Sequence, residues 1–184
     1  GYLALYTNTT GDANIAIGAN ALDANTTGVT NVAVGKGALG ANTTANGNTA
    51  VGHAALEANT TGASNTATGY KSLQTNTTGE QNTAHGLYAL RVLTTASRNT
   101  AVGYNAGSAI TTGNENVCLG NAAGNELTTG SDNVVIGGDA SSGNSGSVDR
   151  IVIGRNATGT ANDRITIGIS SSIAELDLNG SDTS

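Results

Sequence analysis

Residues 48–64 read NTAVGHAALEANTTGAS, and residues 14–30 read NIAIGANALDANTTGVT. Each is one unit of a repeat, because Asn14, Asn31, Asn48, Asn65, Asn82, Asn99, Asn116 and Asn133 stand 17 residues apart. A fixed period of this length is the mark of a solenoid, in which one unit is one coil. The unit is N-T-A-V-G-x-x-A-L-x-x-N-T-T-G-x-x, and positions one to seventeen below refer to it. The period holds to Arg150, and from Arg150 to Arg164 the step falls to 14 residues.

Local chemistry favours strands. IAIG, VAVG, VVIG and IVIG are short, mostly β-branched and closed by Gly, while NTTG supplies turn residues. Glycine interrupts the chain every few residues, so helices of ordinary length have no room. The expected fold is all-β, a parallel β-solenoid of about ten coils stacked roughly 4.8 Å apart. The repeat domain spans residues 1–168, and residues 169–184 form a C-terminal tail whose alternating Ile173–Leu178 segment reads as a capping strand.

Composition agrees. The chain has no Phe, Trp, Met or Pro and 27 Gly among 184 residues, so any interior is narrow and filled by Ala, Val, Ile and Leu. A net charge of -6 argues against nucleic acid or an anionic membrane as partner, since both require a basic face. No stretch reads as a signal peptide or a membrane span, and the chain opens in mid-repeat, as part of a longer protein would. The single Cys118 replaces a small apolar residue and reads as a buried thiol.

The columns give finer detail. Position three is Ala from Ala16 to Ala101, then Cys118, Val135 and Val152, which predicts tight interior packing. Position nine is Leu at Leu22, Leu39, Leu56, Leu73 and Leu90, then Gly107 and Gly124; there position twelve changes from Asn to Ile110 and Leu127. The large apolar group moves along the coil while core volume is kept, with Leu93 in the transitional coil. Positions two and four are apolar in many coils, so the strand is apolar on both faces although a coil has only one inside. Self-association would cover the other face, with Thr49, Thr66, Thr68, Thr83, His85 and Thr100 making it partly polar. Asn and Thr columns are neutral and suited to hydrogen-bonded ladders, whereas no acid forms a full column.

The units NIAIGANALDANTTG and NTAVGHAALEANTTG resemble the repeats of phage and bacterial fibre proteins, and RIVIGRNATGTANDRITIG at 150–168 is similar to the YadA-type head repeats of trimeric autotransporter adhesins. The resemblance covers Gly1 to about Gly168. It implies a left-handed β-roll, a trimeric rod, and a role in attachment to a host, prey or matrix surface, outside the cell or on a virion. The repeat departs from the adhesin period, which equals the shorter step at the end of this chain.

Candidate sites are few. Positions six and seven bring Lys36, His53, Tyr70, Lys71, Tyr88 and Tyr104 along neighbouring coils, a stripe able to meet a sugar face, or simply to pack corner on corner. Thr68 and His85 on the two-faced strand are candidates for the trimer axis, with a core histidine as the other reading of His85. The Asn-Thr-Thr sequons at Asn8, Asn25, Asn42, Asn59 and Asn76 are turn elements needing no glycan. Asp149 and Asp163 beside Arg150 and Arg164 read as local ion pairs. No convergent acid, base, nucleophile, phosphate loop or calcium loop is present, so neither enzymatic activity, metal nor cofactor is expected. The leading expectation is a structural and adhesive fibre module, a homotrimer whose surface partner is a receptor such as a glycan or matrix protein, with no insertion into membrane. A lectin-like fibre tip is the alternative. An ice-binding solenoid is a further one, set back because adjacent threonines in a strand point to opposite faces.

Overall fold

The computed structural model describes residues 1–170 and 172–177. Leu178 and the rest of the tail to Ser184 lie outside the described residues, as does Ser171. The described chain is all-β, without a helix, and forms a parallel β-solenoid. Its strands are β1 (Ile15–Ile17), β2 (Val32–Val34), β3 (Thr49–Val51), β4 (Thr66–Thr68), β5 (Thr83–His85), β6 (Thr100–Val102), β7 (Val117–Leu119), β8 (Val134–Ile136), β9 (Arg150–Ile153), β10 (Arg164–Ile169) and β11 (Ser172–Asp177). They lie in one sheet in sequence order. Pairing is parallel through β10, with Ile15 opposite Val32 and so on at the repeat period, and Arg150 opposite Arg164 at the shorter step. Strand β11 then folds back antiparallel on β10.

Each coil turns its corners with residues in the left-handed region. Position five is glycine at φ between 129 and 138° from Gly18 to Gly154, and a Cβ on Gly35 would stand 2.4 Å from the Gly52 carbonyl oxygen of the next coil. Only glycine fits so close a backbone approach. More unexpected are the leucines of position nine, with φ of 51° at Leu22 and 48° at Leu90. A side chain in this conformation costs on the order of 1–2 kcal/mol. Here the conformation aims the leucine inward, and Leu22, Leu39, Leu56, Leu73 and Leu90 are fully buried. Burial of one such side chain returns about 1.5–3 kcal/mol, which offsets the strain.

The interior is a narrow column lined by positions one, three, eight, nine, twelve and fifteen. Ala33, Ala50, Ala67, Ala84, Ala101, Cys118, Val135 and Val152 form its sheet wall, and Ala21 to Ala157 at position eight face them. Two Asn ladders complete it. In the first, the backbone N–H of Asn31 donates to Asn14 Oδ1 at 2.9 Å, and the same bond recurs coil by coil to the N–H of Asn133 on Asn116 Oδ1 at 3.2 Å. In the second, Asn25 Nδ2 donates to Asn8 Oδ1, Asn42 to Asn25, Asn59 to Asn42 and Asn76 to Asn59, at 2.8–3.1 Å. Both ladders also serve the carbonyl of position fifteen, as when Asn31 and Asn42 Nδ2 donate to the Ala45 oxygen at 2.8 and 3.2 Å. Buried backbone acceptors are thereby satisfied without water.

At the shorter step Arg150 takes the place of Asn. Its backbone N–H closes the first ladder on Asn133 Oδ1 at 3.2 Å. Its guanidinium is buried, donating to the Ser142 and Gly159 carbonyls and, at 3.0 Å, to Asn162 Oδ1. The ion pair with Asp149 read from the sequence is not formed, because the side chain fills the tapering core instead. Burial lowers its pKa from the ordinary value. Arg164 lies 3.7 Å from Glu175 on β11, so its carboxylate neighbour there comes from the fold-back strand.

Candidate functional site

The corner of positions six and seven gathers most of the aromatic and basic side chains. His53 and Tyr70 occupy the same column one coil apart and stack, with ring centroids 5.3 Å apart and planes 18° from parallel. Tyr88 meets Tyr70 edge to face at 5.6 Å. Lys71 Nζ stands 5.4 Å from the Tyr70 centroid, and Arg91 Cζ 5.2 Å from that of Tyr88. These rings are engaged with their own neighbours, at roughly 0.5–1.5 kcal/mol per pair. The structure therefore brings His53, Tyr70, Lys71 and Tyr88 into one contiguous strip and adds Arg91, which the sequence reading had not included. Lys36 lies one coil before His53 in the same column, and Tyr104 extends the strip on the other side with 49% of its surface exposed.

The second candidate surface is the outer face of the sheet. Position three of every strand points inward, so positions two and four point out. Ile15, Ile17, Val51, Val102, Ile153 and Ile167 are exposed there, and Val32, Val34, Val117, Leu119, Val134, Ile136, Ile151 and Ile165 are half-buried. Thr66, Thr83 and His85 are exposed and Thr68 half-buried in the middle of the face. His85 is thus a surface residue of the strand, and its reading as a core histidine is corrected: position four faces away from the interior. On β11 the alternation carries Leu176 onto the same face, opposite Ile165.

Several smaller features bear on chemistry. The sequon asparagines Asn25, Asn42, Asn59 and Asn76 have no exposed surface, and their Nδ2 groups are bound in the ladder, so glycosyl transfer to them is blocked in the folded chain. Cys118 is buried and its thiol is pushed up to about 12 by desolvation and then by Glu126, which leaves it unreactive. Position seventeen holds a partial acidic column that the sequence reading passed over, Glu115, Asp132, Asp149 and Asp163, capped at one end by the Arg98–Glu115 ion pair. A shallow depression of about 300 Å³ sits over Gly37 and Gly40, between Asp23 and Glu57. Among the described residues no three His, Cys, Asp or Glu side chains converge as metal ligands would, and no helix is long and apolar enough to cross a membrane. No protein-family model, curated protein or solved structure matches this chain.

Proposed function

We propose that the chain is a structural and adhesive module of a surface or viral fibre, in which three copies associate side by side through the outer sheet face. The observation that carries this reading is the face itself. It is apolar at both ends and continues onto β11, although nothing within the coil covers it. With ten parallel strands about 4.8 Å apart the strip is roughly 43 Å long, larger than the scattered apolar residues a monomer normally exposes. In a parallel three-fold bundle each residue meets its own copies, so the Thr66, Thr68, Thr83 and His85 band meets itself, and a buried polar band fixes register. The product is a stiff rod that holds a receptor-binding surface away from a cell or virion and presents it three times. Its work lies outside the cell, and it requires no catalytic residue or cofactor.

Sedimentation equilibrium tests the reading. The trimer mass is expected at micromolar concentration, and Val117→Asp with Ile151→Asp, both on the outer face, is expected to give a monomer of unchanged β-sheet content. A stable, folded wild-type monomer under those conditions would refute it.

A further inference from the structure

We infer that the side-by-side association is acid-labile, with His85 as its proton sensor: when the imidazole takes up a proton, the bundle separates into single rods. Such a switch rests on the association proposed above and adds the condition that undoes it. The composition of the sheet face points to it. Positions two and four of β1 to β10 hold fourteen Val, Ile or Leu residues, five Thr and one residue that titrates, His85. Strand β11 extends the face with Ala174 and Leu176. No Lys, Arg, Asp or Glu stands at any of these positions, although position ten carries Asp23, Glu57 and Arg91 and position seventeen carries Arg98, Glu115, Asp132 and Asp149. A face without charge is suited to burial, and the one ionisable group left in its middle is the group whose charge state burial decides.

The surroundings of His85 give its cation no support. The residue is exposed on β5, and its imidazole has no hydrogen-bond partner among the described residues. Thr68 stands opposite it on β4 and Val102 on β6, while the other column of the face holds Thr66, Thr83 and Thr100. Ionisable groups come only beyond the edges of the face. Tyr70 and Tyr104 lie past one edge at position six, and Arg98 and Glu115 lie past the other at position seventeen, where they form an ion pair with each other. In a parallel bundle the other two copies present the same residues, so each imidazole meets Thr, Val and two further imidazoles. Threonine hydroxyls satisfy a neutral imidazole, and no carboxylate is placed to balance a charged one.

An imidazole in water takes up its proton near pH 6.5. Inside the closed face the cation would lose its hydration and face two like charges, so the bundle holds the neutral form. In acid, three separated rods together bind three more protons than the bundle does. The association is therefore at full strength above about pH 6.5 and weakens as the pH falls below it, by up to about tenfold per copy for each pH unit. Between about pH 7.5 and about pH 5 the association constant for three copies falls on the order of 10⁴-fold, which moves the concentration of half-association about a hundredfold upward.

The test is a dilution series of the whole chain, from micromolar to nanomolar, followed by sedimentation at about pH 7.5 and about pH 5. A chelator in the buffer keeps metal ions from bridging imidazoles, and circular dichroism checks that the coil stays folded. The wild type is expected to dissociate at about a hundredfold higher concentration in acid. His53→Gln, which removes the other imidazole of the chain from its place off the face, should behave likewise. His85→Gln and His85→Thr, the latter copying Thr68 one coil before, are expected to lose the pH dependence, and His85→Lys to associate weakly at both values. A wild-type trimer equally resistant to dilution at both pH values overturns the switch and leaves the association standing. So does a pH shift of the wild-type size in both neutral variants. A wild-type monomer at both pH values overturns the association itself, and the switch with it.

Discussion

The coils before Thr78 and those after Asn99 follow the same backbone path with different interiors. In the first region Leu fills the core from position nine and Asn lines position twelve; in the second, Gly107 and Gly124 stand at position nine and Ile110 and Leu127 fill the core from position twelve. The dihedral barely changes, with φ of 48° at Leu90 and 56° at Gly107. In the second region the space at position nine is already taken, because a Cβ on Gly107 would lie 3.0 Å from both Ile110 Cδ1 and Leu90 Cδ2; only in the coil where the regions join are both positions filled, by Leu90 and Leu93. What repeats is the corner conformation, and either wall can supply the volume. The join is imperfect. Leu93 cannot donate to the second ladder, so Asn76 Oδ1 is left buried without a hydrogen-bond partner. An orphan acceptor of this kind costs about 1–3 kcal/mol. Its place at the change of interior marks where the two regions meet.

The largest effect should come from what the regions share. Asn48→Ala and Asn116→Ala each remove one rung of the first ladder, leaving the N–H of Asn65 or Asn133 without a partner; Asn116→Ala also strips the side-chain donor from the Gly130 carbonyl, whereas the Gly62 carbonyl keeps its bond from Asn59 Nδ2. Asn116→Ala is expected to cost about 3 kcal/mol in denaturant unfolding and Asn48→Ala about 1 kcal/mol less, and a smaller cost for Asn116→Ala would break the claim that the second ladder shares the load in the first region. Smaller, and directed at the difference, is Gly107→Leu, which imports the first interior into the second region. Overpacking should cost about 1–3 kcal/mol, and adding Ile110→Asn should recover most of it, because Leu90 already tolerates this backbone conformation. A neutral single variant would show that the interiors are not alternatives.

The smallest effect concerns charge. Partial desolvation and then the carboxylates of Glu115 and Asp149 raise the Asp132 pKa, an effect Arg98 opposes. The folded state consequently binds the proton more tightly than the unfolded state, and stability falls as pH rises through the window above the ordinary aspartate value. Asp132→Asn should raise the melting temperature slightly at neutral pH and have no effect once the pH is below that window. Hydrogen exchange should place the gain in the second region alone.

The period, the strands, the inward third position and the exchange of Leu for Ile were readable from the sequence because stacking gives equivalent positions equivalent surroundings. The Asn and Thr ladders were readable for the same reason. The left-handed leucines were not, since Leu carries no signature of that conformation and only the demands of the corner impose it. Arg150 was misassigned because its sequence neighbour Asp149 points out of the coil that the arginine enters. The threonine pairs were read with strand alternation, whereas the Asn-Thr-Thr segments are bends. At the aromatic corner the repeat register placed His53, Tyr70, Lys71 and Tyr88 in one strip, but neither the stack of His53 on Tyr70 nor the approach of Arg91 to Tyr88 was readable from it.

The Asn ladders also make the rod electrically directional. Backbone bonds between coils run both ways, as from the Ile15 N–H to the Asn31 oxygen and from the Gly35 N–H to the Ile17 oxygen, so their dipoles largely cancel. The side-chain amides do not alternate. Every inter-coil amide bond in both ladders sends its donor toward the lower-numbered coil. Their moments add along the axis, negative toward the higher-numbered end, where the carboxylates of Glu115, Asp132, Asp149 and Asp163 reinforce them. Seen from outside, the rod has a head and a tail, and reversing it end for end presents the opposite field.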